Sequence, residues 1–338
     1  MLAQRIQTYL AARLAADGDV RVSNLHRIPG GASRETWSFD ADWNEGFKDQ
    51  HRGFIIRRDP DASLLVTDRD VEFRVMDAVA GQGIPIPKMY WLEQDSAWLE
   101  RPFFVMERID GCETSPEKVL MAPRFYQARS RIAEQFVQIL ARIHALDWAT
   151  IGLDFLGVPE SQATCAAIEI ERWEAVLDRD ALEPQPVLRA AFSWLRRHLP
   201  APAQRIVVVH ADHRTGNFLC NSDGEIKGVL DWEMTHLGDP MEDIAWACMR
   251  PWRWLGDEKI GGLLDRADFY RMYSETAGML IDEKAVRFWE VLGNVKFAAI
   301  LLTGGRSFCD GRTRSVMMAL VGRNIARLEL EIMDLMEV

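Results

Sequence analysis

The sequence predicts an α+β protein of two lobes: a small β-rich lobe over residues 1–110 and a larger, mainly helical lobe over residues 111–338. Three observations carry that expectation. A length of 338 residues is more than one simple hydrophobic core usually organises. The text to about residue 110 reads as strands around one long helix, and most of the chain beyond residue 116 reads as helix. One short β insert interrupts the helical part, VVVHADHRTGNFLCN, in which β-branched apolar residues run straight into a dense polar set.

From the N-terminus, MLAQRIQTYLAARLAADG has the pattern of an amphipathic helix; it lacks a long apolar core and a cleavage site, so it is not read as a signal peptide. VRVSNLHRI, the run after PGGASRETW, and GFIIRRD read as strands of an antiparallel sheet. RDVEFRVMDAVAGQG is helical and stops at Gly81 and Gly83. Prolines hold IPIPKMYWL extended, and PFFVMERIDG is a further strand running into a turn. In RIAEQFVQILARIHALDW, Ile132, Phe136, Ile139, Leu140, Ile143 and Leu146 form one helical stripe. RIVVVH and IKGVLDW read as short strands around the polar set. Asp239-Pro240-Met241-Glu242 reads as a helix start, with Asp as N-cap and Pro in the first turn.

Composition excludes several function classes. With 48% hydrophobic and 27% charged residues the chain is ordinary for a soluble globular protein. A net charge of -11 argues against a nucleic-acid partner. The absence of a run of about 18 apolar residues argues against a membrane span. Five scattered cysteines without a CxxC pair argue against a disulfide framework or structural zinc and fit the reduced thiols of a cytoplasm. Oligomeric state is left open.

The polar set has a definite spacing: His210, Asp212, then Asn217, with Asp231 fourteen residues further on at a strand end. This is the spacing of a kinase catalytic loop. Phosphoryl transfer needs a carboxylate to take the acceptor's proton, for which Asp212 is the candidate, and oxygen ligands for Mg2+, for which Asn217 and Asp231 are the candidates. Asp231 and Glu233, two apart on an extended segment, are expected to share a face. His210 is expected to hold the loop by bonding backbone, His213 to be solvated or at the substrate edge, His144 to be a core histidine bonded to a backbone group, and Asp243 to brace the loop.

The first lobe offers the matching half. Gly30, Gly31 and Ser33 are expected in a turn where backbone N–H groups and a hydroxyl can approach phosphates. Arg57 stands where a kinase has its strand lysine. Glu72 shares a helix face with Val75, Met76 and Val79, so it needs a buried partner, and Arg57 is the natural one. VMERI, with Glu107 and Ile109, fits the hinge where an adenine bonds to backbone. Trp252 and Arg253 are candidates for the acceptor pocket, and Arg306 is a weaker one.

HADHRTGNFL and IKGVLDWEMTHLGDPMEDIAW resemble the aminoglycoside phosphotransferase and choline kinase-like family, over roughly residues 20 to 330. They are most similar to the branch that includes the kinase domains fused to some acyl-CoA dehydrogenases. The resemblance implies a protein-kinase-like fold, ATP and Mg2+ as cofactors, and a small-molecule hydroxyl acceptor, here a hydroxyacyl-CoA or related hydroxy acid. An aminoglycoside or amino alcohol such as choline is the alternative acceptor. Ala211 stands where the family commonly has glycine, which leaves a nucleotide-binding pseudokinase as the rival from a non-enzyme class. A metallo-β-lactamase box is ruled out because Val208 stands where it needs a histidine. A protein kinase is disfavoured because Asp231 runs straight into Gly238-Asp239-Pro240 and a helix, with no room for an activation segment.

Overall fold

The computed structural model describes residues 1–14, 16, 18–29, 34–46, 48–60, 69–255 and 258–337. Helix α1 (Leu2–Arg13) opens the chain. Strands β1 (Arg21–Ile28), β2 (Glu35–Glu45) and β3 (Lys48–Arg58) come next, then α2 (Arg69–Val79), β4 (Met89–Glu93), the short α3 (Ser96–Leu99) and β5 (Phe103–Glu107). The five strands form one antiparallel sheet in the order β1-β2-β3-β5-β4.

The period of two along β3 decides where its arginines go. Phe54 and Ile56 join Ile6, Tyr9 and Leu10 of α1 in one apolar cluster, while Ile55 joins Val75, Met76 and Val79 of α2 in the other. Arg57 shares parity with Ile55 and therefore faces α2. Arg58 goes the other way, to the Glu35 carboxylate at 2.6 Å and the Leu99 carbonyl at 3.0 Å.

Beyond the sheet the chain is mainly helical: α4 (Pro116–Met121), α5 (Arg129–His144), α6 (Cys165–Asp180) and α7 (Pro186–Arg197). Strands β6 (Val207–Val209), β7 (Phe218–Cys220), β8 (Ile226–Val229) and β9 (His236–Gly238) then precede α8 (Pro240–Cys248), α9 (Arg266–Ala277), α10 (Glu283–Cys309), α11 (Val316–Val321) and α12 (Ile325–Met336). The two strands expected around the polar loop are present, yet they do not pair with each other. β6 pairs with β9, and β7 with β8, in two separate ribbons. β7 and β9 are three residues each, too short for any periodicity to reveal. Among the described residues no helix is long and apolar enough to cross a membrane.

Helix α10 runs for 27 residues and packs on α6, α7, α8, α11 and α12. Its N-cap is Asp282, which accepts from the N–H groups of Lys284 at 2.9 Å and Ala285 at 3.2 Å. The N-cap of α8 is Asp239, which accepts from Met241 N–H at 2.9 Å, as expected. Glu242, however, turns away from the cap into the core.

Two buried histidines belong to this core. His213, expected at a solvated edge, is 3% exposed and stacks on Phe136 with ring centroids 4.3 Å apart. Its Nε2 meets the Phe136 carbonyl at 2.9 Å. An aromatic-sized ring with one satisfied polar atom packs as core, which corrects the expectation. Burial pushes its pKa down to about 3. His236 lies 3.0 Å from Glu242 and 3.7 Å from Glu169. Burial alone would lower its pKa, but the two carboxylates outweigh burial and raise it to about 9.

Removing the α10 cap by Asp282→Ala should lower unfolding free energy by about 1 kcal/mol in a urea titration. The histidines should shape the pH dependence of stability. His213 resists the proton that the unfolded chain takes up, so its contribution is complete above pH 6.5 and lost as pH falls towards 3. His236 keeps a proton that the unfolded chain has released, so its contribution is complete below pH 6.5 and lost as pH rises through about 9. Among these two groups stability peaks between the windows, and His236→Gln should flatten the alkaline decline of the urea midpoint while leaving the acid limb.

Candidate active site

Strand β6 delivers the loop His210 to Asn217 into the centre of the molecule. Its backbone is held by Asp243 on α8: the His210 N–H donates to Oδ2 at 2.7 Å and the Ala211 N–H to Oδ1 at 2.8 Å. Asp243 is in turn met by His144 Nε2 at 3.1 Å, and His144 Nδ1 meets the Tyr273 hydroxyl at 2.6 Å. His144 is therefore a core histidine bonded to side chains, where a backbone partner was expected. Burial pushes the Asp243 carboxyl up, but the His144 bond and the surrounding histidines outweigh it, and the net shift is well below the usual carboxylate range. His210 is fully buried, and its Nδ1 accepts from the Asp212 N–H at 3.2 Å.

Asp212 is fixed on both oxygens. Oδ1 accepts from Trp246 Nε1 at 2.8 Å and Arg214 Nε at 2.9 Å, and Oδ2 from Asn217 Nδ2 at 2.5 Å. Asn217 Nδ2 also reaches the Asp212 carbonyl at 2.9 Å. The Arg214 guanidinium stacks over Trp252, 4.5 Å from its ring centroid. Gly216 has φ +112°, and a Cβ there would lie 2.8 Å from Arg214 Nη1 and 3.2 Å from Pro116. Ala211 adopts φ +67°, a left-handed conformation that a glycine would take without strain.

The β7–β8 ribbon explains how Asn217 and Asp231 come together across fourteen residues. Phe218 pairs with Val229, and the Leu230 N–H donates to the Asn217 carbonyl at 2.8 Å. Both residues thus leave the same end of the ribbon. Asp231 takes φ +61° and ψ +54°, and Trp232–Met234 forms one 3-10 turn. Asp231 and Glu233 are not two positions on one extended strand, as expected: the left-handed aspartate turns the chain, a conformation that Asp tolerates better than most residues.

Arg57 joins this end of the ribbon to α2. Its Nη1 donates to Glu72 Oε1 and lies 2.8 Å from Asp231 Oδ1. Glu72 is 0% exposed, and its second oxygen accepts from Arg34 Nε at 3.0 Å. Arg34 Nη1 goes on to Asp59 at 2.7 Å, and Arg69 shares that carboxylate. Burial pushes the Asp231 carboxyl up, and the Arg57 charge, helped by Arg214, more than reverses it. Sequence reasoning missed Arg34, although two free oxygens on a buried Glu72 call for two donors. It also missed Trp246 and Lys296, which come to the loop from α8 and α10. Gly30, Gly31 and Ser33 lie outside the described residues.

The segment around Glu107 and Ile109 lies against the same ribbon. Val229 N–H donates to the Pro85 carbonyl at 2.8 Å, and Glu113 and Cys220 exchange backbone bonds at 2.8 and 3.0 Å. Gly228 approaches so closely that a Cβ there would stand 2.9 Å from Ile109 Cδ1. Glu107 is tied to Lys88 through N–H to carbonyl at 2.8 Å and Lys88 N–H to Oε2 at 3.0 Å. Among the described residues no hydrogen bond engages the Ile109 N–H.

Of the weaker candidates, Trp252 borders a cavity of about 590 Å³ together with Phe297, Asn294, Arg250, Arg327 and Glu331. Arg253 instead bonds Glu258 and the Cys248 carbonyl, and Arg306 pairs with Asp310 at 3.0 Å one helical turn away. The oxygen donors of Asn217 and Asp231 are the hard ligands that Mg2+ prefers, so this end of the ribbon suits such an ion.

Known proteins resemble this chain in sequence and in fold. Acyl-CoA dehydrogenase family member 10 of Mus musculus is 29% identical over 242 residues, 68% of this chain, and the chain spans only 22% of that relative's length. Among solved structures, a provisionally named aminoglycoside phosphotransferase of Ralstonia eutropha superposes with a TM-score of 0.75 at 24% identity, covering 99% of this chain and 98% of the other. An aminoglycoside phosphotransferase solved as a ternary complex with ADP and hygromycin B superposes with a TM-score of 0.57 at 17% identity, covering 98% of each chain. These likenesses show a kinase-like α+β fold. Residues 24–279 match the profile described as the phosphotransferase enzyme family, and the chain belongs to that family.

Proposed function

We propose that this chain is an ATP- and Mg2+-dependent kinase that phosphorylates a hydroxyl of a small molecule, with Asp212 as the base. The observation that carries the reading is the convergence of four separated segments. Asp212 is clamped beside Asn217, Asp231 leaves the same ribbon, and Arg57 ties Asp231 to Glu72. In this reading the small lobe, residues 1–110, and the large lobe, residues 111–338, enclose the nucleotide. Its adenine bonds backbone at Glu107 and Ile109, and its phosphates approach Gly30, Gly31, Ser33 and Arg57. Asn217 and Asp231 hold Mg2+, which when bound neutralises phosphate charge. Asp212 orients the acceptor hydroxyl and takes its proton. Catalysis of this kind is positioning and charge stabilisation more than covalent chemistry.

The cavity beside Trp252 bears on the acceptor. Its wall includes Arg250 and Arg327 against one carboxylate, Glu331, which accepts from Arg250 at 3.2 Å. That balance suits an anionic acceptor such as a hydroxyacyl-CoA or hydroxy acid. A polycationic aminoglycoside would need acidic walls, and a choline-like quaternary amine would need aromatic faces free of neighbouring cations, whereas Arg250 and Arg327 lie beside Trp252 and Phe297 here. The family branch that includes the acyl-CoA dehydrogenase relative points the same way.

ADP release with Mg·ATP should therefore be stimulated by 4-hydroxyacyl-CoA esters more than by choline or an aminoglycoside; stimulation by the cations alone would reverse the acceptor assignment. Asp212→Asn should lower kcat roughly 10²–10⁴-fold with ATP binding by calorimetry retained. Undiminished turnover in that variant would remove Asp212 from the chemistry. Arg57→Met should raise the KM for ATP, and it should also destabilise the fold by roughly 3–5 kcal/mol because Glu72 is left buried with one fewer cation.

A further inference from the structure

Lys296, at the middle of α10, is 2% exposed and lies 85 residues from the loop in sequence. Its ammonium donates to the Ala211 carbonyl at 3.1 Å and to Glu242 Oε1 at 3.3 Å. The same ammonium sits 4.6 Å from the ring centroid of Trp246. Trp246 is the residue whose indole N–H donates to Asp212 Oδ1 at 2.8 Å. Glu242 is shared with His236 at 3.0 Å, and His236 faces Glu169 at 3.7 Å. The buried cluster therefore holds two carboxylates, a protonated imidazole and the ammonium, with Arg172 reaching Glu169 at 3.1 Å from the surface.

A buried lysine is costly unless it is paired and bonded. Here the pairing fixes the ammonium at one point, from which two routes lead to Asp212. The first runs through backbone. The Ala211 peptide is in the left-handed region, with its N–H held by Asp243 at 2.8 Å and its carbonyl held by Lys296. An alanine leaves that region readily, and any relaxation of Ala211 would swing the next residue, Asp212. The second runs through Trp246. A cation over an indole face draws electron density from the ring and makes its N–H a stronger donor to Asp212 Oδ1.

We propose that Lys296 is a positioning residue for phosphoryl transfer, setting the place of the Asp212 carboxylate through the Ala211 carbonyl and the Trp246 indole. This rests on the reading of Asp212 as the base. Lys296 touches neither nucleotide nor acceptor in this scheme, so its loss should act on turnover and leave nucleotide affinity alone.

The test compares ADP release and ATP calorimetry for wild type, Asp212→Asn, Lys296→Met, Lys296→Ala, and the double variant Lys296→Met with Glu242→Gln. The double variant keeps the cluster's charge balance and guards against a loss caused only by misfolding. A carboxylate displaced by about 1 Å can lower kcat on the order of 10²-fold, and a loss of that size is expected in both Met variants with unchanged ATP affinity. Lys296→Ala opens the space of a propyl amine, so propylammonium should restore its kcat saturably, which a purely structural lysine would not show. Wild-type kcat in the Met variants, or a loss accompanied by weakened ATP binding and indifferent to propylammonium, would overturn the role of Lys296. A wild-type chain with no Asp212-dependent ATP turnover would instead overturn the kinase reading itself.

Discussion

The Asp243 carboxylate is the constraint on which the site depends. It is fully buried and carries its charge into the core, where a lone carboxylate would be costly. Two backbone N–H groups of the polar loop and His144 satisfy it, and Tyr273 satisfies His144 in turn. Charge-assisted bonds of this kind are short and directional. They join α5, α8 and α9 to one tight turn of backbone. The His210 and Ala211 N–H groups cannot turn away without stranding that charge. Asp212 is therefore placed by the helical core before any ligand arrives.

The other buried charges obey the same logic at the sheet. Glu72 accepts from Arg34 and Arg57, Arg57 also meets Asp231, and Arg34 also meets Asp59. Such a chain of alternating charges adds little net stability, since desolvation offsets most of the Coulomb attraction. What it confers is geometry. Arg57 is held by α2 on one side and by the end of the β7–β8 ribbon on the other, so the sheet and the ribbon are registered to each other through one guanidinium. Arginine serves this better than lysine, because its planar fork presents donors in fixed directions and it stays charged when buried.

Much of this was legible in the sequence where the signal was local. The spacing of Asp212, Asn217 and Asp231 pointed to a kinase-like loop. The parity of Arg57 against Arg58, and the placement of Glu72 on the apolar face of α2, pointed to their pairing. The Asp239-Pro240 cap of α8 was equally local. Signals failed where tertiary contacts decide. β7 and β9 are too short to show alternation. His213 looked solvated among polar neighbours, but Phe136 of α5 covers it. Asp231 and Glu233 looked like a strand pair until the left-handed turn at Asp231 separated them. Trp246 and Lys296 reach the loop from helices 34 and 85 residues away, distances that no spacing rule spans.

Ala211 is the point at which the sequence departs from the family pattern, and its energetics decide whether it marks a lost activity. Holding an L-residue in the left-handed region costs roughly 1–2 kcal/mol. Against that, the Ala211 methyl is fully buried, which is worth about 0.8 kcal/mol. Alanine also loses less backbone entropy than glycine on folding, by roughly 0.5–1 kcal/mol. The offsets do not remove the strain, since alanine at positive φ is less stable than glycine, and the surroundings must hold its peptide. Asp243 and Lys296 do so from opposite sides. The bonds to Asp212 from Trp246, Arg214 and Asn217 are all present in this conformation. Ala211 is thus accommodated with each of these contacts to Asp212 in place.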